Sequence, residues 1–164
     1  MSRAGRASLP FVETCLLTLW LGAALFFAAA VAPAAFAVLP TPSLAGALVG
    51  RLLPPLFAAG IGVGAAVLAV ELRAGRARSR VRAVAGGVLL VACGIAQFVI
   101  GGQIERLRAR SGAPISALGR EDPRRVTFGR LHALSVAALG AAMLAAATAV
   151  AAGSRSPSGA DRGA

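Results

Sequence analysis

Charged residues along this chain are gathered into clusters separated by long apolar runs. No Asp, Glu, Lys or Arg occurs between Glu13 and Arg51, between Arg51 and Glu71, between Arg82 and Glu105, or between Arg130 and Arg155, gaps of 37, 19, 22 and 24 residues. About 20 apolar residues, each rising ~1.5 Å in a helix, cross a hydrocarbon layer of roughly 30 Å. The pattern therefore predicts an all-α, polytopic membrane protein. We expect a four-transmembrane-helix bundle over 1–153, with helices at about 8–32, 55–73, 81–110 and 123–152.

The helix boundaries follow from punctuation residues. The longest gap is too long for one span, so Pro33, Pro40 and Pro42 are expected to divide it. Thr41 and Pro42 fit an N-cap and a first helical position. Leu44, Leu48 and Leu52 then recur every four residues up to Pro54 and Pro55. This stretch, 42–53, is too short to span and is expected to form a short interfacial or re-entrant helix between helices 1 and 2. Gly112 and Pro114 close the third helix, Asp122 caps the fourth with Pro123 at its first position, and Gly153 fits its end. The tail 154–164, rich in Ser, Gly and Arg, reads as disordered. Arg3, Arg6 and the following apolar run imitate a signal peptide, but the run from Cys15 to Val31 is long for one, and it is expected to stay as the first helix.

Composition sharpens the class. Hydrophobic residues make up 57% of the chain and charged ones 14%, with a mean hydropathy of +0.77; soluble domains carry about 25% charged residues. The net charge of +11 comes from 17 basic residues, all arginine, against six acids. On a soluble chain that excess suggests nucleic acid. Here the arginines flank apolar runs, so the expected partners are the lipid bilayer and anionic lipid headgroups at the Arg clusters, with no nucleic acid. Cys15 and Cys93 lie at different depths and show no metal spacing, so they read as two small buried residues and not as a disulfide. Gly60 and Gly64 form a GxxxG in the second span; with no strand before it, helix packing is the expected role. No GxSxG, Walker loop or HExxH is present, so hydrolase and nucleotide-binding readings fail and the balance leans away from an enzyme. His132 is the single histidine, which leaves no bis-histidine haem within one chain. No cofactor and no metal are expected.

Depth arithmetic brings polar residues together. If the N terminus lies on side A, then Pro33, Pro54, Gln103, Glu105 and His132 lie toward the opposite side B, and Glu13 and Glu71 toward side A. Cys93, Gln97, Gly101 and Glu105 recur every four residues on the third helix, and Phe128, His132, Ser135 and Leu139 form a matching stripe on the fourth. Polar groups at membrane depth are costly unless they face the bundle or water. Two readings follow. One is a pocket open to side B lined by Gln97, Glu105, His132 and Ser135; the other is an inter-helix hydrogen-bond cluster in which Gln97 or a carbonyl satisfies His132. For Glu13 and Glu71, snorkelling to the headgroups or pairing with Arg73 or Arg76 is expected. Trp20 reads as buried packing.

Three segments resemble the transmembrane protein 205-like family, called domain of unknown function 4149 in bacteria. They are Trp20-Leu21-Gly22 with Phe26, Phe27 and Pro33; Gly46 to Arg51 leading to Leu53-Pro54; and Arg120-Glu121-Asp122-Pro123 with Phe128, Leu131-His132 and Ser135. The resemblance implies a four-helix integral membrane protein with no established reaction. Among the matched positions, His132 is the first to carry over. The expected function is an integral membrane protein that binds or moves a small molecule or ion near His132. The alternative is a non-catalytic scaffold, or a subunit of a homo-oligomer or of a membrane partner, packing through Gly- and Ala-rich faces. The Ala and Arg bias without Lys suggests a GC-rich bacterial genome, hence a multi-pass protein of the bacterial inner (plasma) membrane. Side A carries nine arginines and side B eight; the first helix's flank favours cytoplasmic N and C termini.

Overall fold

The computed structural model describes residues 3–73, 79–112 and 114–154. The arginine-rich turn at 74–78 and the tail from 155 onward lie outside the described residues. Helix α1 (Arg3–Phe26) passes through a π turn (Phe27–Val31) into α2 (Ala32–Val38). Helix α3 covers Pro42–Arg73, α4 covers Arg80–Gly94, and a second π turn (Ile95–Ile100) leads into α5 (Gly101–Ser111). A short 3-10 turn at Ile115–Ala117 precedes α6 (Pro123–Ser154). Four stretches are long and apolar enough to cross a membrane: Phe11–Val38, Pro42–Arg73, Arg80–Ser111 and Pro123–Gly153. The protein is all-α and multi-pass, and its outer surface presents Leu19, Phe98 and Leu144 as a bilayer-solvated bundle must.

The spans form a ring in which each packs on its neighbours: α3 on α4, α4 on α6, α6 on α1 and α1 on α3. The main core joins Leu17, Trp20 and Ala24 of α1 to Phe57 and Val67 of α3, Leu89 and Cys93 of α4, and Leu139, Ala142 and Ala146 of α6. Small residues dominate the α6 face because close helix approach, more than hydrophobic bulk, is what joins helices in lipid. Gly60 and Gly64 serve that purpose within the chain. A Cβ at Gly64 would lie 2.7 Å from the Leu90 nitrogen and 2.9 Å from the Gly86 oxygen. A Cβ at Gly60 would lie 2.6 Å from Cys93 Sγ and 2.9 Å from Trp20 Nε1. Trp20 is buried, and its indole N–H donates to the Leu56 carbonyl at 2.9 Å.

Two expected helix breaks do not occur. Pro54 and Pro55 lie inside the continuous helix α3, so no separate interfacial or re-entrant helix is present over 42–53. Thr41 does cap this helix, accepting from the Leu44 N–H at 3.3 Å, but the helix then runs on through both prolines. Proline removes the donor for the carbonyl four residues earlier, a defect tolerated in membrane helices where a neighbouring polar group or a water-lined cavity meets the freed carbonyl. Likewise, Pro33 does not end the first span. The π turn just before it widens the helix, which relieves the clash between the proline ring and an ordinary turn. Gly112, at φ 62°, does stop α5 in the left-handed conformation that glycine adopts without strain. Gly153 lies one residue from Ser154, the last described residue of α6, under the Arg82 guanidinium, where a Cβ would come within 2.6 Å of Nη1. Cys15, expected inside, faces outward, while Cys93 is buried; both are free thiols.

Candidate functional site

At side B the ring of helices opens. A cavity of about 800 Å³ lies between α3, the second π turn, α5 and the start of α6. Gln97, Glu105, His132 and Ser135 all line it. The π turn explains how the third span keeps them on one wall. In a regular helix each step of four residues overshoots a full turn, so the stripe Gln97, Gly101, Glu105 would drift away. The wider turn at Ile95–Ile100 takes up that drift, and all three positions reach the cavity. Gln103, one face away, is exposed and does not line it.

The apolar wall comes from Val49, Leu53, Phe57 and Ala96. Opposite it, the Phe128 and His132 rings stack with centroids 6.3 Å apart and planes 5° apart. The Arg108 guanidinium sits 5.6 Å over the Phe128 ring, a cation–π contact that extends the stack to the mouth. Arg108 also donates to Glu105 at 3.2 Å and reaches the Gly46 carbonyl at 3.5 Å. Its approach is allowed by Gly50, where a Cβ would lie 3.1 Å from Nη1. Arg125 completes the mouth, donating to the Leu118 carbonyl at 2.7 Å. Among the described residues, Gln97, His132 and Ser135 make no side-chain hydrogen bond, to one another or elsewhere. The inter-helix cluster in which Gln97 satisfies His132 is thus not formed here.

At side A a second polar constellation has a different character. Glu13, Glu71 and Arg82 are 3%, 1% and 4% exposed, so none snorkels. Arg82 donates to Glu13 at 2.8 Å and lies 3.5 Å from Glu71 Oε1, while Glu71 Oε2 accepts the Ser79 N–H at 3.1 Å. The expected partner Arg73 is exposed, and Arg76 lies outside the described residues. Sequence reasoning missed Arg82 because it counted the arginine among five in one turn. The signal was available: Arg82 is the last charge before the 22-residue gap, hence the one drawn furthest into the span. Among the described residues, no three His, Cys, Asp or Glu side chains converge as metal ligands.

These features define a four-span integral membrane protein, closed at one end by buried ion pairs and open at the other to a cavity. The family model described as domain of unknown function (DUF4149) matches residues 15–113, and the chain belongs to that family. The match begins within the first span and runs through the third; Asp122, Pro123, Phe128 and His132 lie beyond it. Neither the curated proteins nor the solved structures give a match.

Proposed function

We propose that this protein binds, and moves between leaflet and solvent, a small molecule held in the side-B cavity near His132. The observation that supports this most directly is that, among the described residues, the side chains of Gln97, His132 and Ser135 have no hydrogen-bond partner. Polar side chains at membrane depth need a partner, and three of them facing one open space imply that water or a ligand supplies it. The scaffold alternative finds less support. The glycines it invoked, Gly60 and Gly64, are spent on contacts between helices of this same chain.

In this proposal the protein is a kin of the transmembrane protein 205-like family and sits in the bacterial inner membrane with both termini cytoplasmic, the cavity opening to the periplasm. With Arg82 inside the bundle, eight of the nine side-A arginines remain to balance the eight of side B. The flank of the first span, with Arg3 and Arg6, then decides. The arginine clusters at both faces meet anionic headgroups.

Native mass spectrometry of the full chain in mild detergent tests the cavity. We expect one small molecule per chain in the wild type and its loss in His132→Ala, with the helical circular-dichroism signal unchanged. A bare chain, or one carrying only a heterogeneous lipid coat that His132→Ala does not alter, rejects the binding role and returns the scaffold reading.

A further inference from the structure

The cavity's two walls and its mouth differ in chemistry, and the mouth carries an imbalance. Arg108 has a carboxylate neighbour in Glu105, whose side chain is 71% exposed. Arg125 is half-buried at the same rim and bonds only a neutral carbonyl, that of Leu118. Among the described residues it has no carboxylate partner. A guanidinium has five N–H donors, and both arginines retain several for another group. Much of the remaining lining is hydrocarbon, of which Phe36, Leu53, Pro54 and Ile104 present accessible surface.

We infer that the cavity takes an anionic amphiphile whose carboxylate or phosphate head is held between Arg108 and Arg125 and whose apolar body lies along Phe36, Leu53, Pro54 and Ile104. This rests on the cavity being the binding site. Guanidinium groups match planar or tetrahedral oxyanions through paired N–H donors, at shorter distances and greater strength than neutral hydrogen bonds. The half-occupied Arg108 and the carboxylate-free Arg125 together present a net positive mouth even with Glu105 ionised. A free inorganic anion would satisfy the arginines but leave the apolar wall facing water; a neutral hydrocarbon would do the reverse. An amphiphile answers both. Gln97, His132 and Ser135 face it from the polar wall and hold water or a polar substituent of the same molecule.

The test uses the full chain in detergent with three probes: an eighteen-carbon fatty acid, the corresponding fatty alcohol, and inorganic phosphate. Binding is read by native mass spectrometry and by displacement of a fluorescent fatty acid. The expected result is that the acid binds at least tenfold more tightly than the alcohol. Arg125→Gln reduces that preference to less than threefold, Arg125→Lys, which keeps the charge but loses the paired donors, falls between the two, and Arg130→Gln, an exposed arginine outside the cavity, leaves it unchanged. Gly102→Phe, at a cavity-lining glycine where a Cβ meets no atom within 4 Å, should obstruct the space and abolish binding of both chain molecules without disturbing the fold. Equal binding of acid and alcohol, both lost in Gly102→Phe, overturns the anionic head while the cavity reading stands. Phosphate displacing the acid as effectively as unlabelled acid overturns the amphiphile. Binding of neither chain molecule, or binding unaffected by Gly102→Phe, overturns both the inference and the cavity reading beneath it.

Discussion

Two glycines separated by one residue illustrate how much a single Cβ decides in this bundle. Gly64 faces the backbone of α4, whereas Gly62 faces outward with nothing within 4 Å. Backbone atoms cannot swing aside, so Gly64→Ala forces α3 and α4 apart and should cost about 1–3 kcal/mol. Gly62→Ala should be neutral or stabilising by about 0.5–1 kcal/mol, since alanine is the better helix residue. Unfolding in mixed detergent, followed by circular dichroism, compares the two. Asp122 supplies a second residue-scale expectation. Its carboxylate caps α6 by accepting the Arg124 N–H at 2.8 Å and also takes two bonds from the Arg124 guanidinium, at 3.1 and 2.9 Å. The guanidinium bonds first, and the backbone bond next, hold its carboxyl below the usual aspartate range. A carboxyl lowered in the folded state contributes stability above its unfolded value and loses it as pH falls through the folded one. The protection of the Arg124 amide, corrected for the intrinsic pH dependence of exchange, should therefore fall on acidification, and Asp122→Asn, which still caps, should flatten that fall.

At the scale of elements, charge-free lengths and caps were the legible part. The four spans, the cap at Asp122 and the stop at Gly112 all follow from residues whose local chemistry dominates. The prolines misled because their penalty is context-dependent: a helix break is the rule in water, but in lipid an unsatisfied chain end costs more than one missing helical bond. The two π turns carry no sequence signature, though they keep Gln97 and Glu105 on one cavity wall and carry the chain through Pro33. Of the candidate site, Gln97, Glu105, His132 and Ser135 could be grouped by depth and periodicity alone. Arg108 and Arg125 could not, because the reach of a long side chain from a helix end is set by what it packs on, here Phe128 and the Leu118 carbonyl. The side-A ion pairs join three helices through one residue. Arg82→Met should destabilise the protein by about 3–5 kcal/mol, since two carboxylates stay buried without it. Combining it with Glu13→Gln and Glu71→Gln should recover most of that loss, because no charge is then stranded. A thermal-unfolding cycle over these variants measures the difference.

For the molecule as a whole, the two ends are built for different tasks. Side A is tied through Arg82 to α1, to α3 and, by close approach to Gly153, to α6. Side B has a cavity where those helices diverge. On the proposed inner-membrane orientation, fusing a reporter active only in the periplasm to the C terminus should give no activity, and moving it to the segment between α5 and α6 should give full activity; the opposite pattern reverses that orientation. The tie at side A also imposes an order on how the protein is made. Glu13 and Arg82 are 69 residues apart in the chain. At a synthesis rate of about 5–20 residues per second, the carboxylate emerges several seconds before the guanidinium that will hold it exists. Until then the first span must rest with Glu13 at the headgroups, and it can settle to its final depth only when the third span arrives. Assembly is thereby gated by translation: the bundle locks from its last-arriving charge, and a chain cut short before residue 82 leaves its first helix without the anchor that fixes it.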